Sequence, residues 1–198
     1  MTKFDTDAPW AMDKLIADFG FSVEDAAAIM GNAGHESAGF TLMQELKPTI
    51  AGSRGGYGWF QWTGPRRRAF EAYCARNKLD INSREANYAF LFVELTGPEK
   101  GAVAKTKAAV GLNAKTKAFE LGFERAGVKH YPSRYEWAAK ALRAYQNRKP
   151  AAKPIEAPVE PVKPVLATPV APETPKPVEA PKESALLVFL KALRNLFK

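Results

Sequence analysis

Apolar positions recur with a helical period through most of the first 150 residues. In residues 22–37, "SVEDAAAIMGNAGHES", Val23, Ala26, Ala27 and Met30 fall at i, i+3, i+4 and i+7, the spacing of a helix with one buried stripe. Ser22 is placed to cap its start, with Asp25 three residues on, and Gly39 suits its stop, so Glu36 is predicted in the last turn. A second helix is predicted from "TGPRRRAFEAYCARN", where Thr63 or Gly64 caps, Pro65 takes the favoured first position, and Phe70, Tyr73 and Cys74 share the apolar face. The segment "SREANYAFLFVELTG" opens on a Ser83 cap and is apolar on every side from Tyr88 to Val93, the pattern of a helix at the centre of a bundle. Residues 98–110 and 114–126 read as weaker, more exposed helices, and a last one opens on "SRYE", where Ser133 and Glu136 suggest a capping box.

Between the first two helices, residues 47–62, "KPTIAGSRGGYGWFQW", break this period with Gly and Ser, and aromatics alternate with small or polar residues. This predicts a loop leading into an extended or hairpin segment exposed along one side. The expected fold is mainly α (α+β), a helical bundle with a small aromatic-rich hairpin or loop, over residues 1–149.

Proline divides the chain: five lie before residue 150 and ten between Pro150 and Pro181. Residues 150–182 have no apolar periodicity and are expected to be a disordered, polyproline-rich linker, spanning on the order of 100 Å at about 3.1 Å per residue. In residues 183–198 apolar periodicity returns, with Leu186, Phe189, Leu190, Leu193, Leu196 and Phe197 on one side and Lys191, Arg194, Asn195 and Lys198 on the other. Such a cationic amphipathic helix is suited to an anionic membrane surface; the alternatives are docking on the front domain and self-association.

The net charge of +8 points to an anionic partner, which nucleic acid, membrane or cell-envelope polymer would each satisfy. Arg66, Arg67 and Arg68 read as a solvated face, and no nucleic-acid-binding motif accompanies them. The single cysteine, Cys74, excludes an internal disulfide, and its place on an apolar stripe favours a core role over a thiol nucleophile paired with His35 or His130. His35 is expected to face solvent or a cleft rim. With two histidines in all, neither a metal site nor another cofactor is expected. The start "MTKFDTDAPWAMDKL" lacks the pattern of a signal peptide, and no apolar run approaches the roughly 20 residues that span a bilayer.

The chemistry centres on "GNAGHESAGF", residues 31–40, where Glu36 stands among small residues. Cleaving a glycosidic bond needs a carboxylic acid able to protonate the leaving oxygen. The C-terminal end of a helix disfavours negative charge, and small neighbours leave room for a sugar ring. In "GYGWFQWTG", residues 56–64, Tyr57, Trp59, Phe60 and Trp62 surround Gln61. Aromatic faces stack on sugars and an amide pairs with hydroxyls or acetamides, whereas a hydrophobic hairpin packed on the core would use the same aromatics.

Together "GHES", "GWFQ" and "AYQN" resemble in order the three signature elements of the goose-type lysozyme and lytic transglycosylase superfamily. The "GN...ES", "GYG...QWTG" and "RR" elements are more similar to phage tail lysozyme and endolysin domains, over roughly residues 8–147. The resemblance implies that Glu36 is the general acid/base and that Ser37 supports it. Gln61 would bind sugar near the cleaved bond, Tyr145 would hydrogen-bond the catalytic carboxylate or the substrate, and Tyr57, Trp59 and Trp62 would contribute contacts. "YQN" departs from Tyr-Asn-Ala-Gly, and "GWFQ" is bulkier than Gly-Leu-Met-Gln, which puts Trp59 in doubt. No second carboxylate is obvious; Glu45 and Glu94 are both better suited to structural roles.

The implied substrate is the glycan strand of peptidoglycan, cut between N-acetylmuramic acid and N-acetylglucosamine by a monomer, through hydrolysis or transglycosylation. The implied setting is a phage or prophage endolysin made in the host cytoplasm and released by a holin into the periplasm, or a virion-associated protein. A binding module that grips the wall without cutting it is the rival, and Glu36 is the feature against it.

Overall fold

The structure, a computed structural model, describes residues 1–48 and 52–148. The predicted linker and terminal cationic helix lie outside the described residues. Among the described residues seven α-helices follow one another: α1 (Lys3–Phe19), α2 (Val23–Glu36), α3 (Gly64–Asn77), α4 (Arg84–Thr96), α5 (Lys100–Ala108), α6 (Leu112–Phe119) and α7 (Tyr131–Gln146), with a π-helical turn at Glu120–Glu124 continuing α6.

The central helix is α2, not α4. Every residue of α2 from Asp25 to Gly34 is buried, and α1, α6 and α7 pack around it. Alanine and glycine make this possible, because a helix with short side chains admits neighbours on all sides. At Gly31 a Cβ would stand 2.5 Å from the Ala138 Cβ and 2.7 Å from the Ala138 backbone, so α2 and α7 touch almost main chain to main chain. Replacing Gly31 with Ala is therefore expected to cost about 1–3 kcal/mol, measured as a fall of roughly 3–10 °C in the thermal unfolding midpoint. By contrast Phe92 and Val93 of α4 are 36% and 38% exposed, which corrects the expectation of an all-round buried segment; α4 has an open side.

The start of α2 is as predicted. Ser22 Oγ accepts the Asp25 amide, and the Asp25 carboxylate accepts the Ser22 amide at 2.8 Å. The nearly buried Lys115 of α6 adds an ion pair to Asp25 at 2.6 Å. Ser83 likewise caps α4, and α3 carries Pro65 in its first turn, Phe70 and Cys74 buried below it. Helix α1 is not among the predicted elements. Its capping box of Thr2 and Asp5 and its buried Phe4, Ala8, Ala11, Met12 and Leu15 are regular, but Pro9 and the buried Asp7 interrupt the apolar pattern. Helix α7 begins two residues before the predicted cap, behind a left-handed His130, and Ser133 turns its hydroxyl to His35 instead of capping.

The aromatic segment is a compact turn. Among the described residues it forms no strand, only isolated bridges between Gln44 and Tyr57 and between Tyr57 and Trp62. Among its described residues exposure is confined to Lys47 and residues 52–54, and in part to Pro48, Tyr57 and Gln61, while Trp59, Phe60 and Trp62 are 0%, 2% and 1% exposed. Trp59 stacks on Phe40 at 4.3 Å, and Trp62 meets Phe70 at 4.6 Å and Phe90 edge-on at 5.0 Å. A left-handed Gly58 at φ 81° allows the turn, because a Cβ there would meet the Trp62 ring and the Asn87 amide oxygen below 3.0 Å.

Candidate active site

Glu36 is the last residue of α2, and its side chain is 21% exposed. Immediately after it the chain leaves the helix through left-handed Ala38, Gly39 and Phe40. Ser37 makes that exit: its hydroxyl donates to the Ala33 carbonyl at 2.7 Å and accepts the Phe40 amide at 3.1 Å. Gly39 is required beside Trp137, whose ring would lie 2.4 Å from a Cβ. The glycines that looked like clearance for a sugar therefore also serve packing, Gly31 against α7 and Gly34 and Gly39 against Trp137.

The strongest neighbour of Glu36 is Arg134 of α7, a residue that sequence reading did not single out. Its side chain is 1% exposed and its Nη2 lies 2.6 Å from Glu36 Oε1. Nη1 donates to Asn32 Oδ1 at 3.0 Å, and Nε donates to the Lys129 carbonyl at 2.8 Å. Asn32, one turn before Glu36, donates in turn to the Ala28 and Thr116 carbonyls at 3.0 and 3.1 Å. The planar guanidinium thus engages three acceptors in a fixed fork, which positions Glu36 more sharply than an ammonium could. A helix end alone does not describe the electrostatics of Glu36; it faces a fully buried cation.

Glu124 ends the π-helical turn. Phe119 and Phe123, both fully buried and stacked at 4.8 Å, anchor that turn, and the Arg66 guanidinium sits 4.6 Å from the Phe123 ring. Glu124 Oε1 is sealed from solvent and has no hydrogen-bond partner among the described residues. Burial pushes its carboxyl well above the ordinary range, the charge of Glu36 pushes the same way, and Arg66 and Arg134 offset part of this. It lies in "LGFERAG", inside a stretch read as a weak, exposed helix; the π turn shifts the register by one residue, so helical periodicity carries no signal for it.

The other candidates are placed differently from the expectation. Ser37, Trp59 and Trp62 are buried at 0%, 0% and 1% exposure: Ser37 caps the helix end beside Glu36, and the two tryptophans pack in the core. The half-buried Gln61 spends its amide nitrogen on the Leu42, Met43 and Gly58 carbonyls at 3.1, 3.3 and 2.9 Å, closing the aromatic turn. Tyr57 is half-buried, donates to Asn82 at 2.7 Å and lies 5.1 Å below the Arg67 guanidinium. Tyr145 donates to Asp13 of α1 at 2.8 Å, and it stands about 16 Å along α7 from Arg134 at 1.5 Å per residue. Bonding of Tyr145 to the Glu36 carboxylate is thereby replaced by a helix-to-helix tie. Glu45 accepts the Gly56 amide at 2.7 Å, while Glu94 accepts Trp62 Nε1 at 2.7 Å and a two-pronged contact from Arg66, so both have structural partners.

The rival chemistries find little support. Cys74 is buried, and burial pushes its thiol up to about 11, far from a reactive thiolate. Of the arginine run, Arg66 pairs with Glu94, and Arg67 pairs with Glu71 and donates to the Gly55 carbonyl; Arg68 alone is on an open face, beside a cavity of about 220 Å³. Among the described residues no helix is long and apolar enough to cross a membrane.

His35 is half-buried, one residue before Glu36. Its Nδ1 lies 2.9 Å from Ser133 Oγ, and burial, Arg134 and His130 lower its pKa to about 4. It is neutral at pH 7 in the fold, whereas in the unfolded chain it protonates near 6.5. The unfolded state therefore gains a proton first as the pH falls, so His35 costs stability from about pH 6.5 down to about pH 4. Urea unfolding of His35→Gln is expected to lose about 1–3 kcal/mol less than the parent between pH 7 and pH 4.

The model of the family described as phage tail lysozyme matches residues 7–145. No curated protein and no solved structure matches the chain significantly. The matched span contains Glu36, Glu124 and Arg134 together with every helix that positions them, and on that match the chain belongs to the phage tail lysozyme family, with the peptidoglycan-degrading, lysozyme-like function this implies.

Proposed function

We propose that the protein cuts the bond between N-acetylmuramic acid and N-acetylglucosamine in peptidoglycan, with Glu36 as the general acid/base. The observation that carries this reading is a single accessible carboxylate at the tip of a buried helix, fixed by a buried arginine. Glu36 protonates the leaving oxygen as the glycosidic C–O bond breaks, and the electron pair of that bond passes to the oxygen. Digestion of purified sacculi with the full chain, followed by mass spectrometry of the fragments, tests it. Reducing ends identify hydrolysis and 1,6-anhydro ends identify transglycosylation; sacculi that bind protein but release nothing would instead identify a wall-binding module.

The protein acts in this reading as an endolysin, made in the host cytoplasm and reaching the wall after holin release. The proline-rich residues 150–182 would carry the cationic stripe of residues 183–198 from the lytic domain to an anionic membrane surface. Deleting residues 183–198 is expected to leave the digestion of purified sacculi unchanged and to slow lysis of intact cells from within. Equal lysis by both chains would remove the membrane step from the proposal.

A further inference from the structure

The two oxygens of Glu36 are not equivalent. Oε1 accepts Nη2 of Arg134 at 2.6 Å, whereas Oε2 has no hydrogen-bond partner among the described residues and is not sealed from solvent. The guanidinium cannot follow Glu36 if the carboxyl swings. Its side chain is 1% exposed, and Asn32 Oδ1 and the Lys129 carbonyl hold its other two nitrogens at 3.0 and 2.8 Å. Both anchors are fixed in turn, Asn32 by the Ala28 and Thr116 carbonyls and Lys129 by an ion pair at 3.0 Å to the fully buried Glu120. Neighbouring residues repeat the link between the same two helices, because Ser133 Oγ lies 2.9 Å from Nδ1 of His35. The end of α2 and the start of α7 are thus joined at two consecutive positions of each, 35 with 133 and 36 with 134.

We infer that Arg134 is a positioning residue of the reaction: it reserves Oε1 of Glu36 as a permanent acceptor and so makes Oε2 the oxygen that hands the proton to the substrate. This deepens the muramidase reading and rests on it. A protonated carboxyl has one O–H and one acceptor oxygen, and a guanidinium has donors only. A proton on Oε1 would point at another N–H, whereas a proton on Oε2 leaves the contact with Nη2 intact. The O–H at Oε2 donates to the glycosidic oxygen, and as the C–O bond breaks its electron pair stays on that oxygen, which takes the proton. The negative charge left on Glu36 spreads to Oε1, where the cation already stands, so nothing has to turn to meet it. The proton returns to Oε2 from the group that attacks the sugar, a water in hydrolysis or the sugar's own hydroxyl in transglycosylation. Arg134 acts through Glu36 and touches no substrate.

The test compares the parent and Arg134→Lys as full chains on soluble, uncrosslinked peptidoglycan strands, below the thermal unfolding midpoint of both. Lysine keeps the charge and loses the fork, so kcat is expected to fall about 10–100-fold. KM should stay near the parental value, because a carboxyl free to turn leaves the binding surface in place. A parental kcat in the variant, or a loss carried by KM alone, overturns the inference and leaves the muramidase reading standing; a parent that cuts nothing overturns both. A crystal structure of Glu36→Gln with a bound oligosaccharide of alternating N-acetylglucosamine and N-acetylmuramic acid needs no turnover. The amide has an acceptor oxygen and a donor nitrogen, and Arg134, a donor only, can meet only the first. The amide oxygen is therefore expected on Nη2 and the amide nitrogen facing the glycosidic oxygen. An amide turned away from Arg134, or a glycosidic oxygen seated against the atom that meets Nη2, overturns the inference.

Discussion

Glu36→Gln is expected to lower the release of fragments from purified sacculi by about 10²–10⁴-fold, the range supplied by a positioned general acid, while the protein stays folded. Glutamine still offers Oε1 to Arg134 Nη2, the contact that lies at 2.6 Å in the parent, so the fork around the guanidinium is preserved. What disappears is the ionisable proton. Arg134 is buried and loses a charged partner, while Glu124, whose carboxyl is raised by burial and by the charge of Glu36, is relieved of the second of these. The net stability change is expected to be within about 1–2 kcal/mol, the scale of one charged hydrogen bond exchanged for a neutral one. Circular dichroism and thermal unfolding beside the digestion assay separate the two effects. Undiminished release would move the acid to another residue.

Arg134→Leu is expected to be the most damaging single change for stability, on the order of 3–5 kcal/mol at pH 7, measured by urea unfolding. The loss has three parts. Asn32 Oδ1 and the Lys129 carbonyl lose their donor inside the fold, and Glu36 loses the cationic partner that lies 2.6 Å from its Oε1. Arg134→Lys is not a conservative rescue, because one ammonium cannot span the three directions held by the planar fork. Acidification should narrow the gap between parent and Leu variant, since Arg134 favours the ionised form of Glu124 and protonating that carboxyl removes this contribution. A gap that stays constant down to pH 4.5 would assign the whole effect to the hydrogen bonds.

Much of the helical frame was legible because its caps are local. Ser22 with Asp25, and Ser83, satisfy backbone groups within one turn, and Pro65 after Thr63 removes a donor that would otherwise need a partner; each leaves its mark on adjacent residues. Glu36 was legible for the same reason, lying at the end of an apolar stripe whose phase fixes its place. The central position of α2 was harder to see, because alanine and glycine have low hydropathy contrast and their burial depends on what approaches them. The aromatic segment misled on exposure: Trp59 and Trp62 have the same composition whether they meet sugar or core, and the core of Phe40, Phe70 and Phe90 that receives them is assembled from three separate regions. Arg134 was not legible as a site residue. It gains its role from partners about 100 residues away in sequence, as the Arg134 to Glu36 contact across 98 positions illustrates.

Helix α2 is held at two points along its length, Asp25 by Lys115 and Asn32 by Arg134 and the Thr116 carbonyl. A helix turns about 100° for each residue inserted or removed, so a single deletion between these two points could not be absorbed by rotation. It would have to break one anchor or carry Glu36 a quarter-turn out of register. The helix works as a shaft keyed at two points, and the number of residues between the keys is itself part of the site.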